Sequence, residues 1–252
     1  MVGMRLKGWA VSHLLGMAAL VLLIAFSISP AKADAVPGMV AAADRHLSFD
    51  PSPVTVRFVY DDGTRDLVIP RKYIVFASGG FSSRDGPIPD LIETKSVKLV
   101  LTYPDGEAWT VAIREYMGEH GVSARRAADE MRDRMHIVEL MRTHNIIDLD
   151  VARNDFRIRD LEGSIGEFGL EEFKISRGRQ QFFLASEEDE FLRSVCYNPK
   201  NPGWFCKYYA RLTDEIVFNA DFVDLRIFGG REFANSRMRM IKRTLCTFTE
   251  SC

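Results

Sequence analysis

From Val54 onward the chain alternates in character. Val54, Val56, Phe58 and Tyr60 are separated by Thr55, Arg57 and Val59, the period of two expected of a half-buried strand. Asp61-Asp62-Gly63-Thr64 turns the chain, and Leu67-Val68-Ile69 returns as a second strand. Tyr73 to Ala77 predicts a third. Val97, Leu99, Leu101 and Tyr103 alternate again, Pro104-Asp105-Gly106 turns, and Trp109, Val111 and Ile113 predict a return strand. Between these pieces, Ser78 to Ser96 carries Gly79-Gly80, Gly86-Pro87 and Pro89. It reads as a long loop, and long loops in compact domains are often functional.

The period then changes. Ser123 is placed to cap a helix running to Arg142, with Ala124, Ala127, Met131, Met135, Val138 and Met141 in steps of three and four. Asn145 to Arg159 has no clear period. Phe182-Phe183-Leu184-Ala185 reads as a strand and Glu187-Glu188-Asp189-Glu190 as a solvated turn. Phe191 to Cys196, Trp204 to Leu212 and Ile216 to Phe222 predict an antiparallel meander. After Gly229-Gly230 comes a final helix with Ala234, Met238, Ile241, Leu245 and Phe248 on one side. The order strands, helix, strands, helix predicts an α+β fold, mainly antiparallel sheet with two main helices. The expected organisation is a leader over 34–53 and one domain over 54–252, with a candidate subdivision near 160–169.

The first 33 residues read differently. Arg5 and Lys7 precede an apolar run from Leu14 to Phe26, and Ala31-Lys32-Ala33 supplies a small-x-small cleavage pattern. A bacterial signal peptide is expected, with the periplasm or the medium as destination. The competing expectation is an uncleaved inner-membrane anchor over residues 9–28.

Charge changes little. The chain is at −2, and loss of Arg5, Lys7 and Lys32 with the leader takes it to −5. That mild acidity argues against bulk nucleic-acid binding. All four cysteines, Cys196, Cys206, Cys246 and Cys252, lie near the C-terminus. An even count in an exported chain predicts disulfides. The preferred pairing is Cys196–Cys206 with Cys246–Cys252; the alternative joins Cys206 to Cys246.

Candidate chemistry is sparse. His136 and His144, on one extended helix, would stand roughly 80° apart around its axis, which is poor for shared metal binding. Asp148, Asp150, Asn154 and Asp155 loosely resemble a calcium loop, but Arg153 and Arg159 occupy the positions that need Gly and Glu. No nucleophile elbow, phosphate loop or zinc pattern is present, so no metal, no cofactor and no catalytic residue is assigned. With 35 acidic residues, a glycosidase-type pair cannot be chosen from sequence. Two surfaces are candidates for a partner. One is the basic side of the final helix: Arg239, Lys242 and Arg243, with Arg231 and Arg237 on its flanks. The other is Trp204 with Tyr208, Tyr209 and Asn201 beside Cys206.

Ile69-Pro70-Arg71-Lys72-Tyr73, Phe168-Gly169-Leu170-Glu171-Glu172-Phe173 and the paired cysteines before a last strand and helix resemble a diffuse group of uncharacterised exported proteobacterial proteins. The layout is similar to that of periplasmic immunity proteins of type VI secretion systems. The resemblance implies a toxin partner and no catalysis, and it carries over no site residue. The leading expectation is therefore a periplasmic binding or interaction protein without catalytic activity. A cell-envelope hydrolase using scattered carboxylates, or a membrane-tethered envelope component, are the alternatives.

Overall fold

The chain divides into two compact units, Met1–Ala41 and Ala42–Cys252. The computed structural model describes residues 48–79, 81–82, 87–142, 158, 160–175, 180–197, 205–227, 229–249 and 252, all in the second unit. The signal segment, most of the leader, His46, His144, the acidic run over 148–155, Asn201 and Trp204 lie outside the described residues. Among the described residues no helix is long and apolar enough to cross a membrane.

Among the described residues, two sheets and three α-helices make the fold. β1 (Pro53–Tyr60), β2 (Gly63–Pro70) and β5 (Leu91–Thr94) form a three-stranded sheet in the order β2-β1-β5, with β1 and β5 parallel. The second sheet contains β3 (Ile74–Ala77), β4 (Phe81–Ser82), β6 (Ser96–Thr102), β7 (Met135–Met141), β8 (Ser164–Ile165), β9 (Glu171–Ile175), β10 (Gln180–Leu184), β11 (Arg193–Tyr197), β12 (Phe205–Arg211) and β13 (Val217–Val223). Its order is β4-β3-β6-β7-β13-β12-β11-β10-β9-β8, and every pairing in it is antiparallel. Strands from both sides of 160–169 thus belong to one sheet. The helices are α1 (Trp109–His120), α2 (Ala124–Glu130) and α3 (Gly230–Cys246).

The α+β class with mainly antiparallel pairing is what the alternation predicts. Val54, Val56, Phe58, Leu67, Ile69 and Ile92 point inward from the small sheet, and all are buried. They join Leu99, Leu101, Val138, Phe218, Phe222 and the inner stripe of α3 (Ala234, Met238, Ile241, Leu245) in one hydrophobic cluster. The far side of the large sheet carries a smaller cluster of Ile158, Phe173, Phe182, Leu184 and Val195. The preferred disulfides, Cys196–Cys206 and Cys246–Cys252, are the ones present. Cys196 and Cys206 stand directly opposite one another on β11 and β12.

Three expected elements are different. Trp109 begins a helix rather than a strand; three alternating positions are too few to separate the periods. The αL conformation of Gly121 (φ 62°) ends that helix, with its N–H bonded to the Met117 carbonyl at 2.9 Å. The helix capped by Ser123, whose Oγ accepts from the Arg126 N–H at 3.4 Å, stops at Glu130. A 3₁₀ turn, Arg132–Arg134, follows, and the remainder becomes β7. The stretch contains two periods at once: Met135, Val138 and Met141 in threes, and His136, Val138 and Leu140 in twos. Hydrogen bonding to β6 on one edge and β13 on the other favours the second. Finally, the long segment from Ser78 to Ser96 holds β4 and β5, whose four or fewer residues carry no periodic signal.

Candidate functional site

The small sheet has an open face. Register places Val68, Thr55 and Leu91 in one row across its three strands, and Asp66, Arg57 and Glu93 in the next. Arg57 donates to Asp66 from Nε (2.9 Å) and Nη2 (2.8 Å), and its Nη1 lies 3.9 Å from Glu93. The guanidinium is thereby held flat across the strands. Around it three large apolar side chains face solvent: Val59 (38 % exposed), Val68 (53 %) and Leu91 (45 %). A face built only for water would place polar residues there. At the end of this face lies an open depression of about 430 Å³ lined by Val59, Ser78, Gly79, Glu93, Thr94 and Lys95. Ser78 and Thr94 are fixed beneath it, with their hydroxyls 3.2 Å apart and the Thr94 hydroxyl donating to the Ser78 carbonyl at 2.7 Å. Sequence reasoning passed over this face. The available signal was Val59 and Val68 in the polar phase of otherwise alternating strands.

The basic side of α3 is largely neutralised from within. Asp189 and Glu190, read from sequence as part of a solvated turn, fold back on the helix. Arg231 Nε donates to Asp189 Oδ1 (2.7 Å), Asn235 Nδ2 to the same oxygen (2.6 Å), and Arg239 Nε to Glu190 Oε1 (2.9 Å). Burial opposes ionisation of Asp189, yet its bonds to Arg231, Asn235 and the Ser186 N–H hold its carboxyl below the usual range. Lys242 and Arg243 have no carboxylate partner among the described residues. Arg237 does not share this side; it lies roughly 140–160° around the axis from Arg239 and Lys242. There it is half-buried against the rings of Tyr103 (3.9 Å) and Phe233 (4.5 Å).

Of the aromatic surface expected beside Cys206, Trp204 and Asn201 lie outside the described residues, and Tyr208 does not reach solvent. Tyr208 is wholly buried. It stacks on Phe222 with centroids 4.0 Å apart, and its hydroxyl donates to the Val223 carbonyl at 3.3 Å. It faces the core because it sits in phase with Cys206 and Ala210 on β12. Tyr208 is therefore withdrawn as a contact residue, and so is Arg237 as a member of the exposed basic patch.

A second polar constellation lies on the outer face of the large sheet. Lys98, Glu139 and Asn219 align across β6, β7 and β13, and Asp221 pairs with Lys207 on β12. Lys207 Nζ is 3.5 Å from Asp221 Oδ1, Asn219 Nδ2 donates to Glu139 Oε2 (3.4 Å), and Ser96 Oγ donates to Glu139 Oε1 (3.1 Å). Burial pushes the Asp221 carboxyl above the usual range; nearby Glu139 adds to this, while Lys207 and Lys98 oppose it. Burial disfavours the Lys207 ammonium, but Asp221 holds it above its ordinary value.

Among the described residues, one trio brings metal-ligand atoms within 4.8 Å of one another: Cys196, Cys206 and Asp224. Both sulfurs are committed to the disulfide. Asp224 accepts from Arg226 Nε at 2.8 Å. The trio is a structural knot rather than an open coordination site. No family model, no curated protein and no solved structure matches this chain.

Proposed function

We propose that this chain is an exported interaction protein without catalytic activity, and that it docks a protein partner on the open face of its small sheet. The observation that carries this reading is the trio Val59, Val68 and Leu91, exposed around an Arg57 already ordered by Asp66 and Glu93. Exposed apolar side chains around a pre-ordered charge cluster are what a protein interface desolvates at low entropic cost. The two disulfides support export, since such bonds persist in oxidising compartments. The resemblance to periplasmic immunity proteins makes a toxin the first partner to test. The experiment is affinity capture from envelope extract with the tagged wild-type protein and the Val68→Asp/Leu91→Asp variant. A stoichiometric protein captured by the wild type and lost in the variant supports the reading. Equal capture by both excludes this face.

A second reading, an envelope hydrolase, is favoured by one observation: Asp221, whose carboxyl burial pushes above its usual range, stands near Glu139 on the adjacent strand. A pair of neighbouring carboxyls, one of them with a raised pKa, is what glycoside hydrolysis uses. Release of sugar from cell-wall fragments, abolished in Asp221→Asn and Glu139→Gln, would establish it.

A further inference from the structure

Arg237 is a partly buried cation with no ion-pair partner among the described residues. Its neighbours on α3, Arg231 and Arg239, each reach a carboxylate. Arg237 has none within ion-pair distance among the described residues. Its Nη1 lies 3.3 Å from His136 Nε2. A guanidinium only donates, so Nε2 accepts and the proton of His136 sits on Nδ1. His136 is fully buried and its pKa is pushed down to about 3 by burial first and by Arg237 second. The imidazole is therefore neutral and offers no counter-charge.

Arginine carries five N–H donors. One is used here, and the buried Nε has no partner. The rings of Tyr103 and Phe233 lie against the guanidinium at 3.9 and 4.5 Å. Tyr103 is tied to the helix through its hydroxyl, 3.2 Å from Ser236 Oγ. Burial and the nearby Arg134 both work against the charge on Arg237, whereas Asp133 favours it. Unused donors on a partly desolvated cation, walled by aromatic rings, call for an acceptor that also brings negative charge.

We propose that Arg237, backed by His136 and walled by Tyr103 and Phe233, is a binding site for a small oxyanion, a carboxylate or a phosphate. The anion accepts from the unused guanidinium N–H groups, and the rings exclude competing water. This site stands independently of the sheet face assigned to a partner.

The test is a titration of the protein, labelled with ¹⁵N-arginine, against sodium phosphate and, separately, sodium acetate, at neutral pH and constant ionic strength set with chloride. The Arg237 Nε–H resonance, assigned by its loss in Arg237→Lys, is expected to shift saturably. Both anions saturating supports a general oxyanion site; phosphate alone or acetate alone supports the site and names its ligand. Phe233→Leu, which keeps the guanidinium, is expected to weaken binding roughly 3–10-fold by removing one ring wall. It also serves if Arg237→Lys does not fold. A linear, non-saturating drift with both anions, or identical behaviour in wild type and Phe233→Leu, overturns the proposal.

Discussion

Arg231 Nε donates to Asp189 Oδ1 at 2.7 Å across 42 residues of chain, and this bond ties the 187–190 turn to the first turn of α3. The Asp189 side chain is wholly inaccessible while that of Arg231 is about a third exposed, so the carboxylate depends on its partners. Asp189→Ala takes the acceptor from Arg231 Nε and Asn235 Nδ2 and is expected to cost roughly 1–3 kcal/mol at neutral pH. The folded-state pKa of Asp189 lies below its ordinary 3.8. The stability it contributes is present above that value and disappears as pH falls through the lower, folded one. Urea denaturation of wild type and variant at neutral and acidic pH should show the gap closing only on the acid side.

His136 predicts a pH effect of opposite chemical origin. Its folded pKa is about 3 against an ordinary 6.5, so between those values the unfolded chain binds the proton that the folded chain refuses. Stability is retained above 6.5 and falls as pH drops through that window. The loss approaches roughly 4 kcal/mol at the acid end. His136→Gln keeps an acceptor for Arg237 and removes the titration. Its stability should fall less steeply with acid than that of wild type. Parallel curves would remove His136 from the account.

The two disulfides should contribute unequally. Cys196–Cys206 is buried between adjacent central strands, whereas Cys246–Cys252 fastens the exposed end of the chain to α3. Replacing the first pair with alanines is expected to cost about 2–4 kcal/mol. Replacing the second should cost less, because it closes a shorter loop and Phe248 within that loop stays anchored against Tyr73 without it. Differential scanning calorimetry of the two double variants reads the order directly.

Gly230 opens α3 at φ 63°, and a Cβ added there would stand 2.6 Å from Cδ1 of Phe168. The left-handed backbone and the aromatic ring both exclude a side chain. Gly230→Ala is expected to destabilise by about 2–3 kcal/mol, while Gly118→Ala, in open space within α1, should be neutral or slightly stabilising. A thermal melt of each distinguishes them.

Much of the fold was legible in local pattern. Alternation in Val54–Tyr60 and Val97–Leu101 marks strands because a pleated strand has one dry face. The 4, 3, 4 spacing of Ala234, Met238, Ile241 and Leu245 marks α3 for the same reason at a different period. Met135 to Met141 was misread because it satisfies both periods; only the strands on its two sides resolve it. The candidate site was less legible. Tyr208 and Arg237 look like surface residues by chemical type; Tyr208 is buried by its phase with Cys206 on β12, and Arg237 is covered by Tyr103, which is remote in sequence.

What the chain by itself determined is therefore its class: the α+β pattern, the meander, the final helix and a workable cysteine pairing. All are encoded by contacts between near neighbours. What only tertiary structure decided is which charges meet. Asp189 finds Arg231, Asp221 finds Lys207, and Arg237 finds a neutral histidine instead of a carboxylate. Electrostatic partners are chosen by distance and desolvation in the folded chain, and neither quantity is written in residue order.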